Sequence, residues 1–233
     1  MALPFFYLNH YQGEDRILLD EANSRHMIAV LRMQPGEEVL LTDGMGNLLL
    51  CRINDAHKKK AIVDLIKKEV LPPSSKKITI AISPVKNTAR FEWFLEKATE
   101  IGVSAIIPLI AQRTEKQQFR HDRMQQILIS ALLQSQQAWL PELTQPVRFA
   151  DLMKQPNYSQ KWIAHCLDSD RKSLRNQTAT GANQLLLIGP EGDFTPQEIE
   201  QALQEGFEAV TLGETRLRTE TAGLVGATLL CIS

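Results

Sequence analysis

Two short runs near the carboxyl end carry the residue types from which a ligand site can be built. Leu185-Leu186-Leu187-Ile188 leads into Gly189-Pro190-Glu191-Gly192-Asp193-Phe194, and Ala209-Val210-Thr211-Leu212 leads into Gly213-Glu214-Thr215-Arg216-Leu217-Arg218-Thr219-Glu220-Thr221-Ala222. Each is an apolar strand pattern that ends on glycine with charge close behind it. Glycine at a strand end lets the backbone turn sharply and approach a ligand closely, so that bare amides and carbonyls read the edge of a flat ring. Two such ends suit a nucleotide-like ligand, whereas either one alone is better read as a tight strand-to-helix turn.

Other reactive residue types lack a chemical pattern. Cys51, Cys166 and Cys231 are odd in number and far apart, without the paired spacing of a zinc site or a disulfide framework, and are expected to be buried thiols. His10, His26, His57, His121 and His165 are as scattered, so no metal is expected. A net charge of −1 gives no global pull on a polyanion. Between Arg52 and Lys77, however, eight basic residues, Lys58, Lys59 and Lys60 among them, face three acidic ones. That stripe either tracks phosphates by releasing their counterions or is the solvated, lysine-protected edge of a sheet.

The elements that would position the loops fall into two patterns. Up to about residue 70 short β-type segments alternate with turn signals such as Pro35-Gly36 and Asp43-Gly44, interrupted by one helix over about 22–31 with Met27, Val30 and Leu31 on an apolar face. This predicts a small antiparallel barrel. Leu71-Pro72-Pro73-Ser74-Ser75 is the clearest linker, because consecutive prolines remove amide donors and hold the chain extended. The boundary is placed there, giving domains 1–72 and 73–233.

Beyond the linker, strands at 78–82, 105–109, 162–164 and 185–188 alternate with helices near 90–101 and 121–138, a pattern that implies a mostly parallel sheet covered on both faces. Thr195, Pro196 and Glu198 form a capping box with proline at the first helical position, and Ile199, Ala202 and Leu203 should face the sheet. The last helix, about 220–232, is apolar with small residues at Gly223, Gly226 and Ala227, which predicts close packing. No apolar run approaches the roughly 18 residues of a membrane span, and the start has no secretory pattern, so a soluble cytoplasmic protein is expected.

The ordered set Ile188 to Thr195, then Leu212-Gly213 and Leu217 to Ala222, resembles the RsmE family of ribosomal RNA methyltransferases, in the SPOUT superfamily of knotted methyltransferases. Weaker matches at Lys86, Lys97 to Val103, Pro108, Arg113, Gln134-Ser135 and Pro141 extend the similarity over most of the chain. The resemblance implies an α/β protein with an N-terminal PUA-like RNA-binding β-barrel and a SPOUT-type domain closed by a C-terminal trefoil knot. It also implies S-adenosylmethionine as cofactor and N3 of a uridine in small-subunit ribosomal RNA, within the assembled 30S subunit, as methyl acceptor, with a homodimer and no membrane.

On this resemblance, the cofactor site falls to Ile188, Gly189, Glu191 and Gly192, to Leu212, Gly213, Leu217 and Arg218, and to a third strand end, His165-Cys166-Leu167, with Leu167 as its candidate contact. Arg218 is the candidate to stabilise a uridine anion or hold a phosphate, unless it is spent in a salt bridge to Glu220 or Glu191. Arg113 is a second catalytic or RNA-contacting candidate, or else a surface arginine, and Lys58, Lys59 and Lys60 are candidates for RNA contact. Glu191 and Glu220 lie where carboxylates usually act as structural acceptors, so no general base is assigned and solvent remains a credible proton sink. Asp193, Glu214-Thr215 and Gln137 depart from the family pattern and reduce its cationic character. Ribose 2′-O-methylation on the same fold and a non-catalytic RNA-binding assembly factor remain alternatives.

Overall fold

The computed structural model describes residues 3–115, 118–154, 158–167, 171–177 and 182–232. It divides into two compact units, Met1–Pro73 with Leu132–Leu140, and Ser74–Ala131 with Pro141–Ser233.

In the first unit, β1 (Phe5–Tyr7), β2 (Arg16–Leu18), β3 (Glu38–Thr42), β4 (Asn47–Asp55) and β5 (Ile62–Val70) form one sheet in the order β1-β3-β4-β5-β2. Strand alternation sends Val39 and Leu41, Leu49, Cys51 and Ile53, and Val63 into a single core with Phe6 and Met27. Register shifts in β4 between Leu50 and Cys51 and between Ile53 and Asp55 are bulges, which bend the strand around that core. The sheet is not purely antiparallel as predicted: β1 runs parallel to β3, with Phe5 opposite Leu40. Parallel pairing needs a long crossover, and the segment through β2 and α1 (Glu21–Arg25) provides it.

The predicted helix at 22–31 is also shorter and less regular. Asp20 caps α1 by accepting from the Asn23 amide, and a π-helical turn over His26–Val30 then rotates the apolar face. Met27 is buried, but Val30 and Leu31 are left exposed. Residues 138–140 are stitched into this unit by main-chain bonds from Gly46 to Ala138 and from Leu140 to Gly44, and by Trp139 Nε1 donating to the Leu71 carbonyl at 3.1 Å.

The second unit is built on β6 (Lys77–Ile82), β7 (Ala105–Ile110), β8 (Glu142–Leu143), β9 (Val147–Arg148), β10 (Gln160–Ala164), β11 (Lys172–Ser173), β12 (Asn183–Ile188) and β13 (Glu208–Thr211). Every pairing is parallel, in the order β11-β13-β10-β12-β6-β7-β8, with β9 also on β7. Its helices are α2 (Thr88–Ile101), α3 (His121–Gln134), α4 (Phe149–Leu152), α5 (Pro196–Gln204) and α6 (Thr219–Cys231). Leu185 and Leu187 of β12 join Ile199 and Ala202 of α5 in the core on one face. Leu186 and β6 Ile82 point the other way, toward Gly226 and Gly223 of α6. Burial on both faces is why β12 reads as an unbroken apolar run rather than an alternating one.

Three local expectations are corrected here. Leu203 is 45% exposed rather than facing the sheet, because the contact face of α5 is narrow enough to be filled by Ile199 and Ala202. α3 stops at Gln134, short of the predicted 138, and Gln136 takes a positive φ of 56° that no helix accommodates. Of the three thiols only Cys51 is buried; Cys231 is half-buried and Cys166 exposed, while burial pushes the Cys51 pKa up to about 12. No helix among the described residues is long and apolar enough to cross a membrane.

Candidate functional site

The parallel register sets three strand ends side by side. Ala164 of β10 pairs with Ile188 of β12 on one side and with Val210 of β13 on the other, so both glycine loops leave the same carboxyl edge with the β10 end between them. Such an edge is the usual ligand position in open parallel sheets, because the loops diverge there and leave a crevice. Here the crevice is a cavity of about 640 Å³ lined by Ile188, Gly189 and Glu191, by Leu212, Gly213, Leu217 and Arg218, and by His165 and Cys166.

Local hydrogen bonds fix each loop. Thr195 accepts from the Glu198 amide at 3.2 Å while Glu198 accepts from the Thr195 amide at 2.9 Å, the capping box read from sequence. The other Glu198 carboxylate oxygen accepts from the Gln112 amide at 2.8 Å, tying the loop after β7 to the start of α5. Arg113 Nη1 donates to the Gly192 carbonyl at 2.8 Å and braces the first glycine loop from outside. Thr219 Oγ1 donates to the Gly189 carbonyl at 3.1 Å, so the start of α6 closes on the same loop. Asp193, at φ 63°, accepts from the Cys166 and Phe194 amides, both at 2.8 Å, and thereby joins the β10 end to the β12 end. Its carboxylate is thus a structural tie.

Charge in the cavity is organised by a residue the sequence analysis missed. Arg90, in the first turn of α2, lines the cavity with its Nε 3.7 Å from Glu220 Oε1 and an Nη at 4.0 Å from Glu191. The salt bridge weighed for Arg218 is therefore made by Arg90 instead, and Arg218 has no side-chain partner among the described residues. Helical placement was the only signal for Arg90, and without the fold it could not be connected to loops about a hundred residues away. His165, at the third strand end read from sequence, does line the cavity: only 6% exposed, it has no partner at either ring nitrogen among the described residues, and Glu220 Oε2 is likewise buried and unpaired there.

The remaining candidates lie elsewhere. Gly192 and Arg113 are joined to each other behind the cavity wall, and Leu167, 41% exposed, follows Cys166 beyond the lining. Lys58, Lys59 and Lys60 are exposed in the turn between β4 and β5 of the first unit, not on a strand, and Lys59 Nζ lies 3.4 Å from Glu21.

Comparison with known proteins gives a consistent picture. Residues 72–231 match the family model described as an RNA methyltransferase domain, and residues 19–66 match the RNA methyltransferase PUA domain. A crystal structure described as a probable rRNA-methyltransferase from Porphyromonas gingivalis is 37% identical, with a TM-score of 0.91 over 99% of both chains. The ribosomal RNA small subunit methyltransferase E of Neisseria gonorrhoeae, crystallised with S-adenosyl methionine, is 31% identical over 97% of this chain and 95% of that one, with a TM-score of 0.86. The protein of the same name from Mesomycoplasma hyopneumoniae is 29% identical over 94% of this chain and 95% of its own.

Proposed function

The chain belongs to the ribosomal RNA small subunit methyltransferase E family of RNA methyltransferases, and from that we propose that it transfers a methyl group from S-adenosylmethionine to N3 of a uridine in small-subunit ribosomal RNA. The observation that carries this function is the convergence of both glycine loops on one cavity. A volume of about 640 Å³ suits an adenosyl-sized ligand. Gly213 supports the fit: its φ is not positive and an added Cβ would meet no atom within 4 Å, so the protein itself does not require glycine there and the open space is left for a ligand.

In this assignment Ile188, Gly189 and Glu191 hold one side of the cofactor and Leu212, Gly213, Leu217 and Arg218 the other, while Gly192, tied to Arg113, and Leu167, after the third strand end, support the loops from outside the lining. Backbone groups hold the adenine edge, and Leu212 and Leu217 cover its faces. When bound, the cofactor supplies an electrophilic methyl group; the protein aligns the acceptor and manages one proton. Uracil N3 carries that proton on its pairing edge, so the base must be unpaired and must lose it before or during transfer. Arg218, unpartnered and facing the cavity, stabilises the resulting anion or holds the adjacent phosphate. Arg113, braced on Gly192, offers its remaining donors to RNA. Glu191 and Glu220 are engaged by Arg90, which supports proton loss to solvent rather than to a carboxylate.

Residues 1–72 are assigned to RNA binding, with Lys58, Lys59 and Lys60 as phosphate contacts, and residues 73–233 to catalysis. The substrate is the assembled 30S subunit, the protein acts in the cytoplasm, and a homodimer is its working form. A trefoil knot at the carboxyl end is part of the proposal, supported by a chain path that leaves β13, passes β10 and sets α6 against β12 and β6.

Calorimetric titration with S-adenosylmethionine, followed by nucleoside mass spectrometry of ribosomal RNA from cells lacking the protein and from cells with it restored, tests the function. Recovery of 3-methyluridine is expected. A 2′-O-methyl nucleoside would move the acceptor to ribose, and no binding at millimolar cofactor would favour the non-catalytic assembly factor.

A further inference from the structure

We propose that the His165 side chain is a direct hydrogen-bonding contact of the bound sulfonium cofactor and that only its neutral form admits that cation, a proposal that rests on the methyltransferase function above. His165 follows β10, the strand between β12 and β13, and so enters the cavity between the two glycine loops. It is 6% exposed, yet neither ring nitrogen has a partner among the described residues. A buried imidazole with both nitrogens unpaired is unfavourable, and a ligand that supplies partners offsets that cost.

The backbone on either side of the ring is already engaged. The His165 carbonyl accepts from Arg171 Nη1 at 2.6 Å, and the Cys166 amide donates to Asp193 at 2.8 Å. The residue is therefore anchored with its nitrogens left over. A neutral imidazole donates at one nitrogen and accepts at the other, which matches the hydroxyls and ring nitrogens of an adenosyl group.

The charge argument is separate from the hydrogen-bond argument. Burial pushes the His165 pKa below its ordinary 6.5; the nearby Asp193 carboxylate opposes this and Arg171 reinforces it. Around the cavity, Arg90, Arg216 and Arg218 stand against Glu191, Glu214 and the Arg90-paired Glu220. With Arg171 and Asp193 counted, arginines and carboxylates balance, so a proton on His165 leaves the site with a net positive charge. In a cavity of about 640 Å³ a sulfonium lies within the roughly 10 Å Debye length of 0.1 M salt, too close for that repulsion to be screened. The sign follows: affinity for the cation is flat above pH 6.5 and falls as pH drops through the lowered pKa of the free protein.

Calorimetric titrations between pH 7 and pH 5 with S-adenosylmethionine and with S-adenosylhomocysteine, which lacks the sulfonium charge, test both parts. The unsubstituted protein should lose affinity for the cationic ligand on acidification and much less for the neutral one. His165→Asn, which keeps hydrogen-bonding groups but does not titrate, should show no such difference between the ligands. His165→Ala should bind both about tenfold more weakly at pH 7. Histidine NMR should show one titration below 6.5 that moves lower still when the cation binds. Unaltered affinities in both variants, or equal pH slopes for the two ligands, would overturn the proposal while leaving the methyltransferase function standing. If neither ligand binds the unsubstituted protein, that function fails and the proposal falls with it.

Discussion

At the residue scale, the cavity separates groups held for shape from groups left free for a ligand. Asp193 and Glu198 have short hydrogen bonds to main chain, so their charge is committed to geometry, whereas Arg113 spends one donor on the Gly192 carbonyl and keeps the rest. Arg218 is not committed. Removing it takes away a cavity cation but no contact of the fold, so Arg218→Ala should keep the thermal midpoint within a degree or two and lower methylation of 30S subunits by about 10²-fold or more. Unchanged turnover would take Arg218 out of the mechanism. Gly213 gives the complementary case. An alanine there meets nothing in the protein, so Gly213→Ala should unfold as the unsubstituted chain does but bind S-adenosylmethionine about tenfold or more weakly, because its methyl occupies space the ligand needs. Equal affinities by calorimetry would show that the ligand does not approach this backbone.

At the element scale, α6 shows what the sequence made legible and what it did not. Its small residues signalled close packing, and the contacts are close: a Cβ at Gly223 would lie 2.6 Å from Ile82 Cδ1 and 2.8 Å from Phe94. Both neighbours are fully buried, so neither can yield cheaply. Gly223→Ala therefore sets an overpacking cost of about 1–3 kcal/mol against a helix-propensity gain of about 1 kcal/mol, a net loss of up to about 2 kcal/mol. Urea denaturation checks this, and an increase in stability would mean that α6 sits further from the sheet. The long apolar strands, the α5 cap and both glycine loops were readable because their signals are local in the chain. β8, β9 and β11 were not, since each has only two residues and is defined by the neighbour it pairs with. Arg90 escaped for the same reason: an arginine in a first helical turn is unremarkable until the fold brings that turn to the loops. The π-helical turn at His26–Val30 is another non-local outcome, in which burying Met27 overrode the regular helical face.

At the scale of the whole molecule, a chain of net charge −1 has to bind a polyanion through local charge rather than overall attraction. The turn carrying Lys58, Lys59 and Lys60 is the place where three consecutive cations stand exposed. Lys59 is near Glu21, but both side chains are about two-thirds exposed, and an ion pair so open to water is worth little and gives way to phosphate readily. If the three lysines neutralise phosphates, each releases condensed counterions, and log affinity falls with log salt by about 0.7 to 0.9 per contact. Replacing all three with alanine should then weaken binding to small-subunit RNA at 50 mM salt and flatten the salt slope by about two, with binding of S-adenosylmethionine unaltered because these residues line no part of the cofactor cavity. Filter binding or fluorescence anisotropy across a salt series measures both quantities. A weaker affinity with an unchanged slope would mean that the substitutions disturbed the unit's fold rather than its phosphate contacts. An unchanged affinity and slope would return the lysines to solvation, and RNA recognition would then have to come from other residues, with Arg113 and Arg218 the first to test.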